Sequence, residues 1–227
     1  FDRTAIRLFT RITALGARRK LGLSFYPAPD QPHARLTVVP PLLRPELFEH
    51  ARNGSQAPDR PPFLLLYLVN HGYARKIIDW HDRHRGIELH CFWDNPEADP
   101  VYHYDDSLTF HRLHDVKFLE MMVQCAGLVC TAGFESVSEA MYLDKPILAI
   151  PVEGHFEQMC NAREVVKLNA GLHGTFDDLG RLAHFASGHG PFNHSFRQWV
   201  GKAERAFIRA IEAVEKEIVT GMSPAAA

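Results

Sequence analysis

The sequence predicts an α/β fold, a doubly wound parallel sheet with helices on both faces, and three observations carry that expectation. Short apolar runs recur from residue 63 onward, their starts about twenty residues apart. Several are continuously apolar and rich in branched or aromatic residues, the pattern of strands covered on both faces. The segments between them show helical spacing, and strand-helix-strand alternation implies parallel pairing through right-handed crossovers.

In order, the strand candidates are FLLLYLV (63–69), ELHCFW (88–93), SLTFH (107–111), GLVCT (127–131) and PILAIP (146–151). In YARKIIDWHDRH (73–84), Tyr73, Ile77, Ile78 and Trp80 fall at helical intervals; in DVKFLEMMVQCA (115–126), Asp115 can cap a helix whose apolar stripe is Val116, Leu119, Met122 and Val123. SFRQWVGKAERAFIRAIEAVEKEIV (195–219) reads as one long amphipathic helix. Residues 1–62 stand outside this rhythm. They offer a helix with Ile6, Phe9, Ile12 and Leu15 inward and Arg3, Arg7, Arg11, Arg18 and Arg19 outward, then two strand candidates, LSFYPAP and RLTVVPPLL. RPELFEHARNGSQAPDRPP (44–62) reads as a linker.

A chain of 227 residues with 46% hydrophobic content can bury one substantial core and a fragment of a second. Its formal net charge of -2 conceals an asymmetry, for residues 1–60 carry ten Lys/Arg against five Asp/Glu and the remainder fifteen against twenty-two. No apolar run approaches the roughly 18 residues of a membrane span and no signal-peptide pattern opens the chain, so a cytoplasmic setting is expected. Cys91, Cys125, Cys130 and Cys160 lack CxxC spacing and read as reduced, buried hydrophobes. His81 with His84, and His111 with His114, have HxxH spacing, but no carboxylate or cysteine set completes either pair, so no metal site is expected. The chain opens at Phe1 in what reads as mid-helix, which suggests a fragment of something longer.

Open parallel sheets bind ligands where strands end and helix N-termini face the crevice. LVCTAGFESVSEAMYLD has that form. A strand closes at Thr131, Gly133 is expected to make the tight turn, and a helix starts near Phe134. Val137, Ala140 and Met141 share its apolar face, while Glu135, Ser136 and Glu139 lie on another. The first-turn amides and the Ser136 hydroxyl suit phosphate oxygens, although such a turn is also common structural chemistry. Glu139, one turn further in, is placed to accept from a ribose diol. After KPILAIP, the helix FEQMCNAREVVKL turns Met159, Ala162, Val165 and Val166 to the core and Glu157, Gln158 and Asn161 toward the sheet edge. Those three suit sugar hydroxyls, or are a solvated face with local capping roles. In VNHGY (69–73), Asn70, His71 and Gly72 form either a loop against the ligand or an ordinary strand-to-helix turn.

The succession GxxSxxEA, a Lys-Pro strand and EQxxNA resembles the donor-nucleotide signature of GT-B glycosyltransferases, specifically the glycosyltransferase family 1-like and UDP-glycosyltransferase types. The resemblance is specific over residues 128–172 and extends over 63–219. It implies a Rossmann-like domain, the C-terminal half of a GT-B fold, with residues 1–40 a remnant of the N-terminal acceptor domain, 41–62 the interdomain linker, 63–219 the donor-binding domain and 220–227 a tail. It also implies that Gly133 and Ser136 hold diphosphate beside Phe134, that Glu139 holds ribose, and that Glu157 and Gln158, followed by Asn161, hold the transferred sugar. Arg112 and Leu113 would stand near the base. Thr131 and Glu135 depart from the histidine and asparagine of many plant-type members.

The implied activity is transfer of a sugar from a nucleotide diphosphate, a UDP-sugar being the expected donor, to an unidentified acceptor, without a cofactor. The general base would belong to the N-terminal domain, and His71 is the in-chain residue to test. The alternatives are a nucleotide-sugar epimerase or hydrolase, or a non-catalytic donor-binding module needing a partner domain. The basic segment 3–20 suits an anionic membrane surface, a solvated face or an interdomain surface; no motif points to nucleic acid. Its apolar side leads us to expect self-association through residues 1–40, or disorder there.

Overall fold

The structure is a computed structural model that describes residues 3–53, 62–188 and 191–220, without the side chains of residues 53 and 69–71. Two compact units emerge, one from residues 3–43 with 194–220 and one from residues 44–193.

In the first unit, α1 (Arg3–Thr13) has no buried residue. Its arginines point outward as expected, but Phe9 is 63% exposed, and Ile12 and Leu15 are exposed too. The sequence places those three inward; among the described residues no element covers them. β1 (Lys20–Leu23) and β2 (Leu36–Val39) pair in parallel from Lys20 opposite Leu36 to Leu23 opposite Val39. The first strand thus ends where LSFYPAP was expected to begin, because Pro27 and Pro29 have no N–H for a ladder. Near the other end of the chain, the expected single helix is two, Arg197 and Trp199 carbonyls accepting from Gly201 and Lys202 N–H at the break. Glycine is a poor helix interior residue and permits that break. The Trp199 indole N–H donates to the Ser24 carbonyl at 2.9 Å, and Arg19 pairs with Glu217.

The second unit opens with α2 (Pro45–Asn53) where a linker was expected. Pro45 at the first helical position and Glu46 in the first turn favour that start, and Leu47 is fully buried. Residues 54–61 of the expected linker, and 221–227 of the expected tail, lie outside the described residues. There follow β3 (Phe63–Asn70), α3 (Ala74–His81), β4 (Glu88–Asp94), β5 (Val101–His103), β6 (Leu108–Arg112), α4 (Asp115–Gln124), β7 (Gly127–Cys130), α5 (Phe134–Tyr142), β8 (Ile147–Ala149), α6 (Phe156–Lys167), β9 (Gly171–His173) and α7 (Leu179–Gly188). In the first unit the chain ends with α8 (His194–Val200) and α9 (Ala203–Val219), the latter packed against β2.

The sheet runs β5-β6-β4-β3-β7-β8-β9, parallel except where β5 lies antiparallel to β6. The chain winds outward from β3 through β4 to β6, then crosses back to β7 on the other side of β3 and winds outward again. That reversal is the topological switch point of a doubly wound sheet. Leu64, Leu66 and Leu68 pack with Ile77 and Trp80 of α3 and with Leu179 and Leu182 of α7 in one core cluster. On α4, Phe118 lies tilted against Tyr67 and edge-on to Phe92, ring centroids 4.5 and 5.4 Å away. Each such fully buried side chain contributes about 1.5–3 kcal/mol, so both faces must stay covered. Val116 of α4 and Val166 of α6, expected in the core, are exposed instead; α4 buries Phe118 and Met121, and α6 buries Asn161, Ala162 and Val165. Cys91, Cys125 and Cys130 are buried and Cys160 half-buried, none of the four in a disulfide. Among the described residues no helix is long and apolar enough to cross a membrane.

Candidate functional site

At the switch point Tyr67 of β3 stands in register with Cys130 of β7. Just beyond, Ala132 takes φ 60, the left-handed region, while Gly133 is extended at φ -63 and ψ 140. The tight turn expected of Gly133 is therefore made by Ala132. A side chain there costs about 1 kcal/mol or more, so neighbouring structure must hold it. Asn161 does so: it is buried on α6, and its Nδ2 donates to the Ala132 carbonyl at 3.0 Å. A Cβ on Gly133 would meet only Ser136 Oγ at 3.6 Å, an ordinary contact, so nothing in the fold demands a glycine there.

Several helix N-termini face this edge of the sheet, those of α4, α5 and α6 among them. His114 Nδ1 caps α4 by accepting from Lys117 N–H at 3.2 Å, and His155 Nδ1 caps α6 by accepting from Gln158 N–H at 3.4 Å. No side chain caps α5. The Ser136 hydroxyl donates back to the Gly133 carbonyl at 3.2 Å. Beneath it, burial pushes the Cys130 thiol up to about 11, partly offset by the Ala132 amide and the nearby Ser136 side chain.

Glu139 is buried on α5 and paired with Arg44, whose Nε donates to Oε1 at 2.5 Å and Nη2 to Oε2 at 2.8 Å. These hydrogen bonds raise the Arg44 pKa above its ordinary value against the opposing effect of burial. Burial raises the Tyr67 hydroxyl as well; the charges of Asp115, Glu139 and Glu135 act the same way, and Arg44 opposes them. Among the described residues, Asp115, Glu135, Glu139 and the Arg44 guanidinium thus lie within electrostatic reach of the Tyr67 phenol.

The other expected site residues divide by strand. On α6, Glu157 is exposed, and Gln158 is half-buried with Oε1 accepting from Val152 N–H at 2.9 Å. Phe134 is half-buried and accepts from the Ser138 hydroxyl at 2.8 Å. Asn70 closes β3, and Gly72, exposed, lies in the 3-10 turn before α3; the side chains of Asn70 and His71 lie outside the described residues. Arg112 and Leu113 are exposed at the end of β6, with β4 and β3 between them and β7. The structure therefore brings Gly133, Ser136, Glu139, Gln158 and Asn161 together on α5 and α6, and holds Arg112 and Leu113 apart across the switch point.

Sequence reasoning missed Arg44, Tyr67 and Ala132. Arg44 lies 95 residues from its partner, and only the Pro-Glu helix start beside it hinted at order. Within the HxxH pairs, His114 caps α4, His81 bonds Asp105 at 2.9 Å, and His111 Nε2 lies 2.9 Å from His90 Nδ1. Among the described residues no cluster of three or more His, Cys, Asp or Glu could hold a metal ion.

Known structures share this architecture. The glycotransferase of kitacinnamycin aligns over 82% of this chain and 50% of its own, at 15% identity and TM-score 0.56. CalG4, the calicheamicin glycosyltransferase, aligns over 80% and 47%, at 17% and 0.54. MurG of Acinetobacter baumannii aligns over 86% and 60%, at 14% and 0.51. At these identities the likeness establishes the fold alone, one half of the GT-B architecture. The chain spans about half the length of these structures. A 56-residue stretch is 36% identical to beta-D-glucosyl crocetin beta-1,6-glucosyltransferase of Gardenia jasminoides, covering 25% of this chain and 12% of that protein. Residues 2–188 match glycosyl transferase family 1, and the chain belongs to that family.

Proposed function

We propose that residues 44–193 bind a nucleotide diphosphate sugar at the switch point and form the donor half of a transferase that moves the sugar to an acceptor hydroxyl. The observation that carries this is α5: its N-terminus has no side-chain cap, its entry turn is strained at Ala132 and tied by Asn161, and Glu139 stands one turn further in. Backbone amides and the positive end of a helix favour anionic oxygens. They do so most as the diphosphate departs, which is when stabilisation lowers the barrier.

In the transfer, the acceptor oxygen bonds to the anomeric carbon, and the bond from that carbon to phosphate breaks with its electron pair leaving on the diphosphate. The acceptor proton goes to a general base. In this reading Gly133, Phe134 and Ser136 face the diphosphate, Glu139 the ribose, Glu157 and Gln158 the sugar, and Arg112 and Leu113 the base. A UDP-sugar is the proposed donor and a cytoplasmic setting the proposed location. Calorimetric titration with UDP, GDP, dTDP and their sugars tests the proposal. Micromolar binding of one family of nucleotides supports it, and failure of all of them to bind ends it.

A further inference from the structure

Glu139 is the most enclosed charge at the crevice, its side chain 8% exposed, and one guanidinium engages both its oxygens. Removing that cation would leave an uncompensated buried charge, which neutral hydroxyls replace poorly. Arg44 is also well anchored. It immediately precedes α2, which is held by fully buried Leu47 and by Phe48, packed edge-on against Tyr142 of α5 with centroids 5.2 Å apart. The helix that follows Arg44 is therefore fixed to the helix that carries the carboxylate.

An ionised carboxylate offers about four acceptor positions, and a bidentate guanidinium uses one on each oxygen. One remains on each, on the outer side of the carboxylate and pointing away from the other, so a ribose hydroxyl can take one of them. We propose that Arg44 is a positioning residue for the donor. It stays on Glu139 when ligand binds, keeps the carboxylate ionised, and fixes its plane so that an outer acceptor position meets a hydroxyl of the ribose diol. This rests on the donor reading above.

The test compares UDP with 2′,3′-dideoxy-UDP, and GDP with its dideoxy counterpart, by calorimetry on the full chain and its Arg44→Ala and Arg44→Lys variants, with melting curves to establish folding. The native chain should prefer the ribonucleotide by about tenfold or more, the range of hydrogen bonds to a charged acceptor. Arg44→Ala should shrink that preference to about threefold or less, any loss of diphosphate affinity being common to the two compounds and cancelling in the ratio. Arg44→Lys retains the charge and so should fold even where Arg44→Ala does not; its point charge cannot form the fork, and its preference should also fall several-fold. A folded variant that keeps the full preference, or binds the ribonucleotide more tightly, overturns the positioning role and leaves the donor reading intact. A native chain indifferent to the diol removes the ribose assignment, and this inference with it.

Discussion

Asn161 and Ala132 are joined by a hydrogen bond of 3.0 Å between a buried side-chain amide on α6 and the carbonyl of a residue at φ 60. It links the strained turn at the end of β7 to the next helix but one in the unit. Asn161→Ala should cost about 1–3 kcal/mol, the price of a buried carbonyl left without its donor. Urea denaturation checks this, and an unchanged midpoint would show that the turn holds without the tie.

Gly133→Ala should separate stability from binding. Its backbone suits any residue and its Cβ has room, so stability should change by no more than about 1 kcal/mol, the scale of an N-cap change. Nucleotide diphosphate affinity should fall about tenfold, because a methyl group would stand where phosphate approaches the backbone. Melting and calorimetry together decide it: a large stability loss would mean the glycine serves the fold.

Gln158 has its oxygen tied to Val152 N–H at 2.9 Å, while its Nε2 has no hydrogen bond among the described residues. That leaves two donors aimed by an anchored amide. Gln158→Ala should weaken binding of the nucleotide sugar by about 0.5–1.5 kcal/mol and that of the bare diphosphate by less. Equal losses for the two ligands would confine Gln158 to holding its loop.

Asp105 sets an acid limit on stability. Burial works to raise its pKa, but the Ser107 amide, the His81 ring and the Leu108 amide outweigh it and hold the carboxyl at about 2. The folded value lies below the unfolded one, about 3.9, so its stabilisation is full above that value and is lost as pH falls through about 2. Asp105→Asn should lower stability at neutral pH and flatten its decline between about pH 4 and 2. Urea midpoints across that range provide the measurement, and parallel profiles for the two proteins would count against the assignment.

The exposed Phe9, Ile12 and Leu15 motivate the remaining expectation, that the chain self-associates through residues 1–40. Sedimentation equilibrium should show mass rising with concentration, and Phe9→Glu with Ile12→Glu should abolish the rise. A native chain that remains monomeric throughout would refute it.

Periodicity is a local property, and what depends on it alone was legible in the sequence. β3, β4 and β7 could be read because strands covered on both faces become continuous apolar runs, and α5 and α6 because their apolar positions recur with the helical turn. The glycine, serine and glutamate of α5 and the glutamate, glutamine and asparagine of α6 were visible for the same reason. β5 and β9 were not, since neither VYH nor GLH carries an apolar run, whereas β8, equally short, lies within the run PILAIP. Tertiary structure alone decided that Ala132, and not Gly133, takes the left-handed turn, that Asn161 ties it, and that Glu139 meets Arg44 across 95 residues of chain. A buried charge or a strained carbonyl takes whichever partner the fold brings within hydrogen-bonding distance, and that distance is set by how α2, α5 and α6 pack, which no local pattern encodes.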